Sequence, residues 1–461
     1  MSVFKAYDIR GIAGTELDSE FSERLGKAVA THLDAECVSV VRDIRDSSPD
    51  YHEAFVRGVL STGADVIDLG ISTTGVLYRS TVDLPVDVAV AITASHNPPE
   101  YNGFKICKGK SPLGGEELQE IRRTFEAGDF REGSGNYQIM DSYEESYVRS
   151  IIDSVGGLSR DIRVVLDCGN AVPGPLAVKV LERLGVDVIP LYCDWDNSFP
   201  NHQQDPTRQE NMEDLGKAVL EHDAEFGIGM DGDGDRLGVV DENGRFIHPD
   251  RLMGIFVEEV LSGLPKNATE EQRTIFFDVK CSMALEEAIE ELGGVPKMVR
   301  TGHTFMKKEL RNAPGSPMAG EMSGHFFMND HWDGFDDSIY CAARLLSIMG
   351  KDPSPEQGGP KFSQRFEFMP EYPTTDEGKV PLVGEREEVM EAVSSAFSDM
   401  PTSTVDGIRA RYVDGWYLCR PSNTEPILVM RAEGRNQEAL DHILTDVGRR
   451  IGEIVDLENL K

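Results

Sequence analysis

Arg163-Val-Val-Leu-Asp167, the turn Cys-Gly-Asn-Ala-Val-Pro-Gly174 and the run Pro175-Leu-Ala-Val-Lys-Val-Leu-Glu-Arg-Leu184 read as a strand, a turn and a helix, with Gly185 closing the helix. The same grammar recurs on both sides. Upstream, Asp18 and Ser19 cap a helix that puts Phe21, Leu25, Val29 and Leu33 on one face. Val38 to Val41 is a β-branched strand, Ser48-Pro49 opens a second helix carrying Phe55, Val56, Val59 and Leu60, and Val88 to Ile92 is a buried-looking strand. Downstream, the strand Thr274 to Val279 precedes a helical pattern from Met283 to Leu292. Apolar strands alternating with helices predict parallel α/β layers, and their spacing predicts three comparable units. Gly128 to Gly135 and Lys351 to Lys361 read as linkers. Beyond the second, a helix (Glu385 to Phe397) precedes strand-like Ile408 to Tyr412, Trp416 to Cys419 and Ile427 to Arg431. With a last helix from Gln437, these predict a smaller α+β unit.

A length of 461 residues suits three or four domains, and 39% hydrophobic with 28% charged residues excludes a wholly disordered chain. No apolar run approaches the ~20 residues of a membrane helix. The opening MSVFKAYDIRGIAG lacks the apolar core of a signal peptide, so a cytoplasmic location is expected. The net charge of −35 repels nucleic acid and anionic lipid and excludes binding to either by charge. Thirty arginines stand against sixteen lysines. Acidic excess with scarce lysine is what a salt-rich cytoplasm favours, because screening relieves the repulsion. Seven cysteines without a CxxC pair argue against a disulfide framework and a zinc ribbon.

Ligands of parallel sheets sit beyond the carboxyl ends of strands, and four polar clusters fall at such ends or in comparable loops. Thr93-Ala-Ser-His-Asn-Pro-Pro99 follows a strand, and its two prolines prevent immediate helix formation, which places Ser95 on an exposed, rigid loop. Asp231-Gly-Asp-Gly-Asp-Arg236 spaces three carboxylates with glycine so that they can converge on one hard cation such as Mg²⁺. A calcium EF-hand shares the spacing of Asp231, Asp233, Asp235 and Glu242. It needs glycine where Arg236 stands, and helices where the flanks look like strands. In Gly320-Glu-Met-Ser-Gly-His325, Glu321 and Ser323 face one way if extended and suit sugar hydroxyls, while Met322 faces the other. Arg420-Pro-Ser-Asn-Thr-Glu-Pro426 concentrates donors for a phosphate. Gly227 to Gly232 matches a dinucleotide fingerprint but leads into carboxylates, which repel a pyrophosphate. A serine, a hard-cation loop, a hydroxyl-binding loop and a phosphate cradle together imply phosphoryl transfer on a phosphorylated sugar or polyol.

On these motifs, from Tyr7-Asp-Ile-Arg-Gly11 through Arg420-Pro-Ser-Asn-Thr-Glu-Pro426, the sequence resembles the α-D-phosphohexomutases of the phosphomannomutase/phosphoglucomutase family over essentially the whole chain. The resemblance implies three related α/β domains plus a C-terminal α+β domain around a central cleft. The expected units are 1–138, 139–245, 246–356 and 357–461, carrying the phosphoserine, metal, sugar and phosphate loops in that order. It implies that Ser95 carries the phosphoryl group and joins Asp231, Asp233 and Asp235 around Mg²⁺. Arg10, Lys105, His303 and His325 are the further catalytic candidates. Tyr7, Arg236, Lys280, Glu321, Ser323, Arg420, Ser422, Asn423 and Thr424 are the substrate-binding candidates. The implied reaction is reversible transfer between the 1- and 6-positions of a hexose phosphate through a hexose 1,6-bisphosphate. The Glu-Met-Ser-Gly-His form resembles members that accept mannose and glucose phosphates. A sugar-phosphate phosphatase and a non-catalytic calcium-binding protein are the alternatives, and the oligomeric state stays open.

Overall fold

The computed structural model describes residues 3–5, 7–422, 426–455 and 457. Three sheets share one plan. In each, three parallel strands run with the first in the middle, and a fourth strand returns antiparallel beside the third. In the first unit Cys37–Arg42 lies between Asp65–Ile71 and Val88–Ile92, and Tyr101–Lys108 pairs antiparallel with Val88–Ile92. In the second, Arg163–Asp167 lies between Asp187–Leu191 and Phe226–Met230, with Leu237–Val240 as the returning strand. In the third, Thr274–Asp278 lies between Val295–Val299 and Met318–Gly320, with Phe326–Met328 returning. Val88–Ile92, Phe226–Met230 and Thr274–Asp278 are buried at every residue, as expected of strands covered on both faces.

The helices observed sit close to those expected. Asp18 caps Ser19–His32 by accepting from the Phe21 N–H at 2.7 Å. The second-unit helix begins at Pro173, two residues before the sequence suggested, because proline suits the first turn. Ser19–His32 and Ser48–Leu60 cross closely through glycine. A Cβ on Gly58 would lie 2.0 Å from the Glu23 carbonyl oxygen, and one on Gly26 would lie 2.3 Å from that of Phe55. The helix Ser338–Met349 is buried along almost its whole length. Asp337 caps it and also accepts from Tyr147 Oη at 2.8 Å, which ties the third unit to the second.

Neither expected linker hangs free. Arg131 donates to the carbonyls of Thr62 and Ala35, pinning Gly128 to Gly135 along the first unit. After Lys351 to Lys361, Phe362, Phe366 and Met369 are buried, and Arg251 of the helix Pro249–Ser262 donates to the carbonyls of Phe366, Met369 and Pro370. The proline- and glycine-rich surface stretch concealed this apolar anchor. The last unit is an antiparallel sheet in the order Gly378–Pro381, Ile427–Gly434, Gly415–Pro421, Ile408–Tyr412, Thr402–Ser403, with helices Arg386–Ala396 and Gln437–Ile451. No helix among the described residues is long and apolar enough to cross a membrane.

Candidate active site

The shared plan puts three polar clusters at one structural address. Thr93 to Glu100, Asp231 to Arg236 and Glu321 to His325 each join the third parallel strand of a unit to its antiparallel return. The loop Ser422 to Pro426 likewise joins two antiparallel strands of the last unit, though Asn423 and Thr424 lie outside the described residues.

Ser95 lies on the expected loop but is not exposed. Its accessibility is 4%, because the metal-type loop of the second unit covers it. Ser95 Oγ donates to Asp231 Oδ2 at 2.8 Å and lies 3.0 Å from His96 Nδ1. Its φ is +51°, a left-handed conformation uncommon for serine. Gly232 permits this approach, since a Cβ there would stand 2.2 Å from the Ser95 carbonyl oxygen.

Asp231, Asp233 and Asp235 are buried, and each offers an oxygen within 4.8 Å of the others. Asp231 Oδ1 organises the loop by accepting from the N–H groups of Gly234, Asp235 and Arg236 at 3.1, 2.9 and 3.0 Å. Burial, then the charges of Asp235 and Asp233, pushes the Asp231 carboxyl well above the usual carboxylate range. Lys105 Nζ sits between the other two, 2.6 Å from Asp233 Oδ2 and donating to Asp235 Oδ2 at 2.6 Å. For Asp235, burial favours the neutral acid, but Lys105 and then His325 outweigh it and hold the carboxyl well below the usual range. Asp233 Oδ1 is buried with no hydrogen-bond partner. Three converging carboxylates, one with an unsatisfied oxygen, fit a hard divalent cation. The EF-hand alternative fails on geometry, because strands flank the loop and Glu242 is engaged by the Ser363 hydroxyl and N–H.

The third unit closes on the same point. His325 Nε2 lies 3.2 Å from Asp235 Oδ1, and its Nδ1 lies 3.2 Å from Glu321 Oε2 and 3.0 Å from Ser323 Oγ. Burial disfavours the His325 cation, but Asp235 and Glu321 outweigh it and raise its pKa to about 9. Glu321 Oε1 accepts from the Gly302 N–H at 2.6 Å, while Met322 turns away and packs against the core. His303 stacks on His325 with ring centres 5.6 Å apart, and its Nδ1 lies 3.4 Å from Asp336 Oδ2. Burial and the neighbouring Lys307 ammonium lower its pKa.

The remaining candidates make the following contacts. Tyr7 donates to the Thr301 carbonyl at 3.2 Å and packs its ring against Gly302, where a Cβ would lie 3.0 Å from Tyr7 Cζ. Arg10 donates to Asp8 at 2.5 Å and to Asn97. Arg236 lies 3.5 Å from Asp205, and Lys280 pairs with Glu377 at 3.1 Å. Arg420 Nε donates to Asp406 Oδ2 at 2.6 Å, and that oxygen also accepts from the Thr301 N–H at 3.1 Å, linking the last unit to the third. Arg431 donates to the Lys280 carbonyl at 2.7 Å. The Ser422 N–H donates to the Ile427 carbonyl at 2.8 Å.

The motifs did not announce Arg45, Asp205, Asp336 or Asp406. Asp43 and Arg45 follow directly on the strand Cys37–Arg42, so the strand-end rule that found the other clusters points to them too.

The comparisons match every unit of the chain. The chain matches the phosphoglucomutase/phosphomannomutase alpha/beta/alpha domain I over residues 1–132, domain II over 143–244, domain III over 248–372 and the C-terminal domain over 375–449. It is 39% identical to a phosphomannomutase/phosphoglucomutase of Pseudomonas aeruginosa, over 96% of this chain and 94% of that one. It is 37% identical to a phosphoglucomutase of Neisseria gonorrhoeae, covering 96% and 95% of the two. A crystal structure of a phosphoglucomutase/phosphomannomutase family protein from Burkholderia thailandensis superposes with a TM-score of 0.90 at 37% identity, over 98% of this chain and 97% of that one. With four matched units in order and a full-length likeness in sequence and fold, the chain belongs to the phosphoglucomutase/phosphomannomutase family.

Proposed function

We propose that this enzyme reversibly moves a phosphoryl group between the 1- and 6-positions of mannose or glucose phosphate, with Ser95 as the carrier. The observation that carries the reading is the approach of Ser95 Oγ to Asp231 Oδ2, 2.8 Å across the boundary between the first two units. Phosphorylated Ser95 gives its group to a free sugar hydroxyl, forming a hexose 1,6-bisphosphate. After this reorients, the second phosphate returns to Ser95 and the isomer leaves. Lys105 and Arg10 bear the positive charge that offsets the transferring group. His303, whose pKa is lowered, would take the hydroxyl proton, and His325, held as the cation, would return one. Glu321 and Ser323 face the sugar hydroxyls, with Tyr7, Arg236 and Lys280 lining the cleft. Arg420, Ser422, Asn423 and Thr424 clamp the phosphate that is not reacting. Mg²⁺ held by Asp231, Asp233, Asp235 and an oxygen on Ser95 would supply Lewis-acid charge neutralisation.

A coupled assay with glucose 1-phosphate or mannose 1-phosphate, primed with the 1,6-bisphosphate, tests this reading. Ser95→Ala should lose nearly all turnover while keeping its melting temperature, and turnover at the parental rate would exclude Ser95 as carrier. Phosphate release without isomerisation would instead identify a phosphatase. The seven cysteines are all unpaired, which fits a reducing cytoplasm. The charge of −35 supports a salt-rich one. Activity should then rise with added KCl, and full folding and activity without salt would remove that part.

A further inference from the structure

We propose that Arg45 is a positioning residue for the phosphoryl-carrying loop, fixing the aim of Ser95 so that its group passes to sugar rather than to water. The inference rests on the reading of Ser95 as carrier.

Arg45 is 1% exposed, and all five of its N–H donors are engaged. Nη2 donates to the carbonyls of Ser95 at 2.8 Å and Asn97 at 2.7 Å. Nη1 donates to those of Pro98 at 2.5 Å and Tyr101 at 3.2 Å. Nε donates to Asp43 Oδ2 at 3.0 Å. The loop between Val88–Ile92 and Tyr101–Lys108 is therefore wrapped around one guanidinium, with three of its carbonyl oxygens and that of Tyr101, the first strand residue, turned inward. Converging carbonyls repel one another unless a donor set fills the space between them, and the planar fork of arginine does so. Asp43 balances the charge and is held in turn by the Ser48 hydroxyl and by the Arg45 N–H at 3.1 Å. On its other side the guanidinium lies 5.3 Å from the centre of the Phe199 ring, which belongs to the second unit.

Ser95 needs such a hold. Its φ of +51° is a conformation that persists only when its surroundings over-determine it. Arg45 contacts the Ser95 carbonyl, not Oγ, so it acts through the backbone. A loosened loop lets Oγ wander from Asp231 and admits water. Water oxygen then bonds to phosphorus as the bond from phosphorus to Ser95 Oγ breaks. Oγ recovers a proton from that water, and inorganic phosphate leaves.

Arg45→Lys and Asp43→Asn test this, each charged with glucose 1,6-bisphosphate and assayed with glucose 1-phosphate for kcat, KM, phosphate released per isomerisation, and melting temperature. Lysine keeps the charge but not the fork. Its kcat should fall on the order of 10- to 100-fold with KM within about twofold, and phosphate release per turnover should rise. Asp43→Asn should move the same quantities in the same direction by less. A purely structural role lowers the melting temperature and leaves kcat per folded molecule and phosphate release at parental values, and that result overturns the inference. Should Arg45→Lys not fold, Asp43→Asn decides on the same two readouts. Ser95→Ala is run in parallel. If it is inactive while the Arg45 and Asp43 variants behave as parent, only the Arg45 inference falls; if it is active, the carrier reading falls.

Discussion

Gly232→Ala adds one methyl group where the metal-type loop meets the serine loop. The new Cβ would lie 2.2 Å from the Ser95 carbonyl oxygen and 2.8 Å from its carbonyl carbon. Ordinary contact lies about 1 Å further out, so one loop must retreat by about that much. The serine loop cannot yield alone, since three of its carbonyls and that of Tyr101 accept from Arg45. The Asp231 loop is equally fixed by three N–H groups on one carboxylate oxygen. Gly232 is not a left-handed position, so alanine meets no backbone penalty and the effect is steric. Overpacking of this kind costs about 1–3 kcal/mol of stability, which a chain of this size tolerates. The hydrogen bond from Ser95 Oγ to Asp231, now 2.8 Å, should open, and a misplacement of about 1 Å at a reacting group costs roughly 100-fold in rate. The coupled mutase assay reads kcat, and mass spectrometry reads phosphate on Ser95. A folded Gly232→Ala enzyme that turns over within about twofold of the parent would refute the view that the contact of these two loops sets the chemistry.

Arg420→Ala should raise KM about 10- to 100-fold with a smaller change in kcat, the loss of one or two charge-assisted hydrogen bonds to a phosphate; an unaltered KM would count against the clamp. Asp337 is buried, and burial pushes its carboxyl up to about 6 from an ordinary value of 3.8. A raised carboxyl binds its proton more tightly in the folded chain, so it adds stability at low pH that is lost as pH rises from about 4 through about 6. A rise of that size corresponds to about 3 kcal/mol. The stability of the parent relative to Asp337→Asn should therefore fall by about 2 kcal/mol of that total between pH 4.5 and pH 7 in urea melts, and a gap independent of pH would refute the assignment.

Contiguous clusters were legible in the sequence. Asp231 to Asp235 stand within a few residues, so composition alone marks the three carboxylates that converge, whereas the run Arg420 to Thr424 leaves the described residues after Ser422. Strands such as Val88–Ile92 and Thr274–Asp278 were legible because a strand covered on both faces is apolar without alternation. The supports were not. Arg45, Asp336 and Asp406 act on Ser95, His303 and Arg420 from 50, 33 and 14 residues away, and although the strand-end rule points to Arg45, no local pattern records which partner each one meets. The burial of Ser95 was missed for the same reason, since its cover comes from the second unit.

Three separate sheets each contribute one return loop to the site, and Ser95, the three aspartates and His325 stand on different ones. As the chain emerges from the ribosome, the body bearing the hydroxyl is synthesised before the one bearing the carboxylates, and the sugar-facing body comes later still. A polypeptide that stops short of the second unit has the hydroxyl of Ser95 without the three carboxylates that meet it in the folded chain.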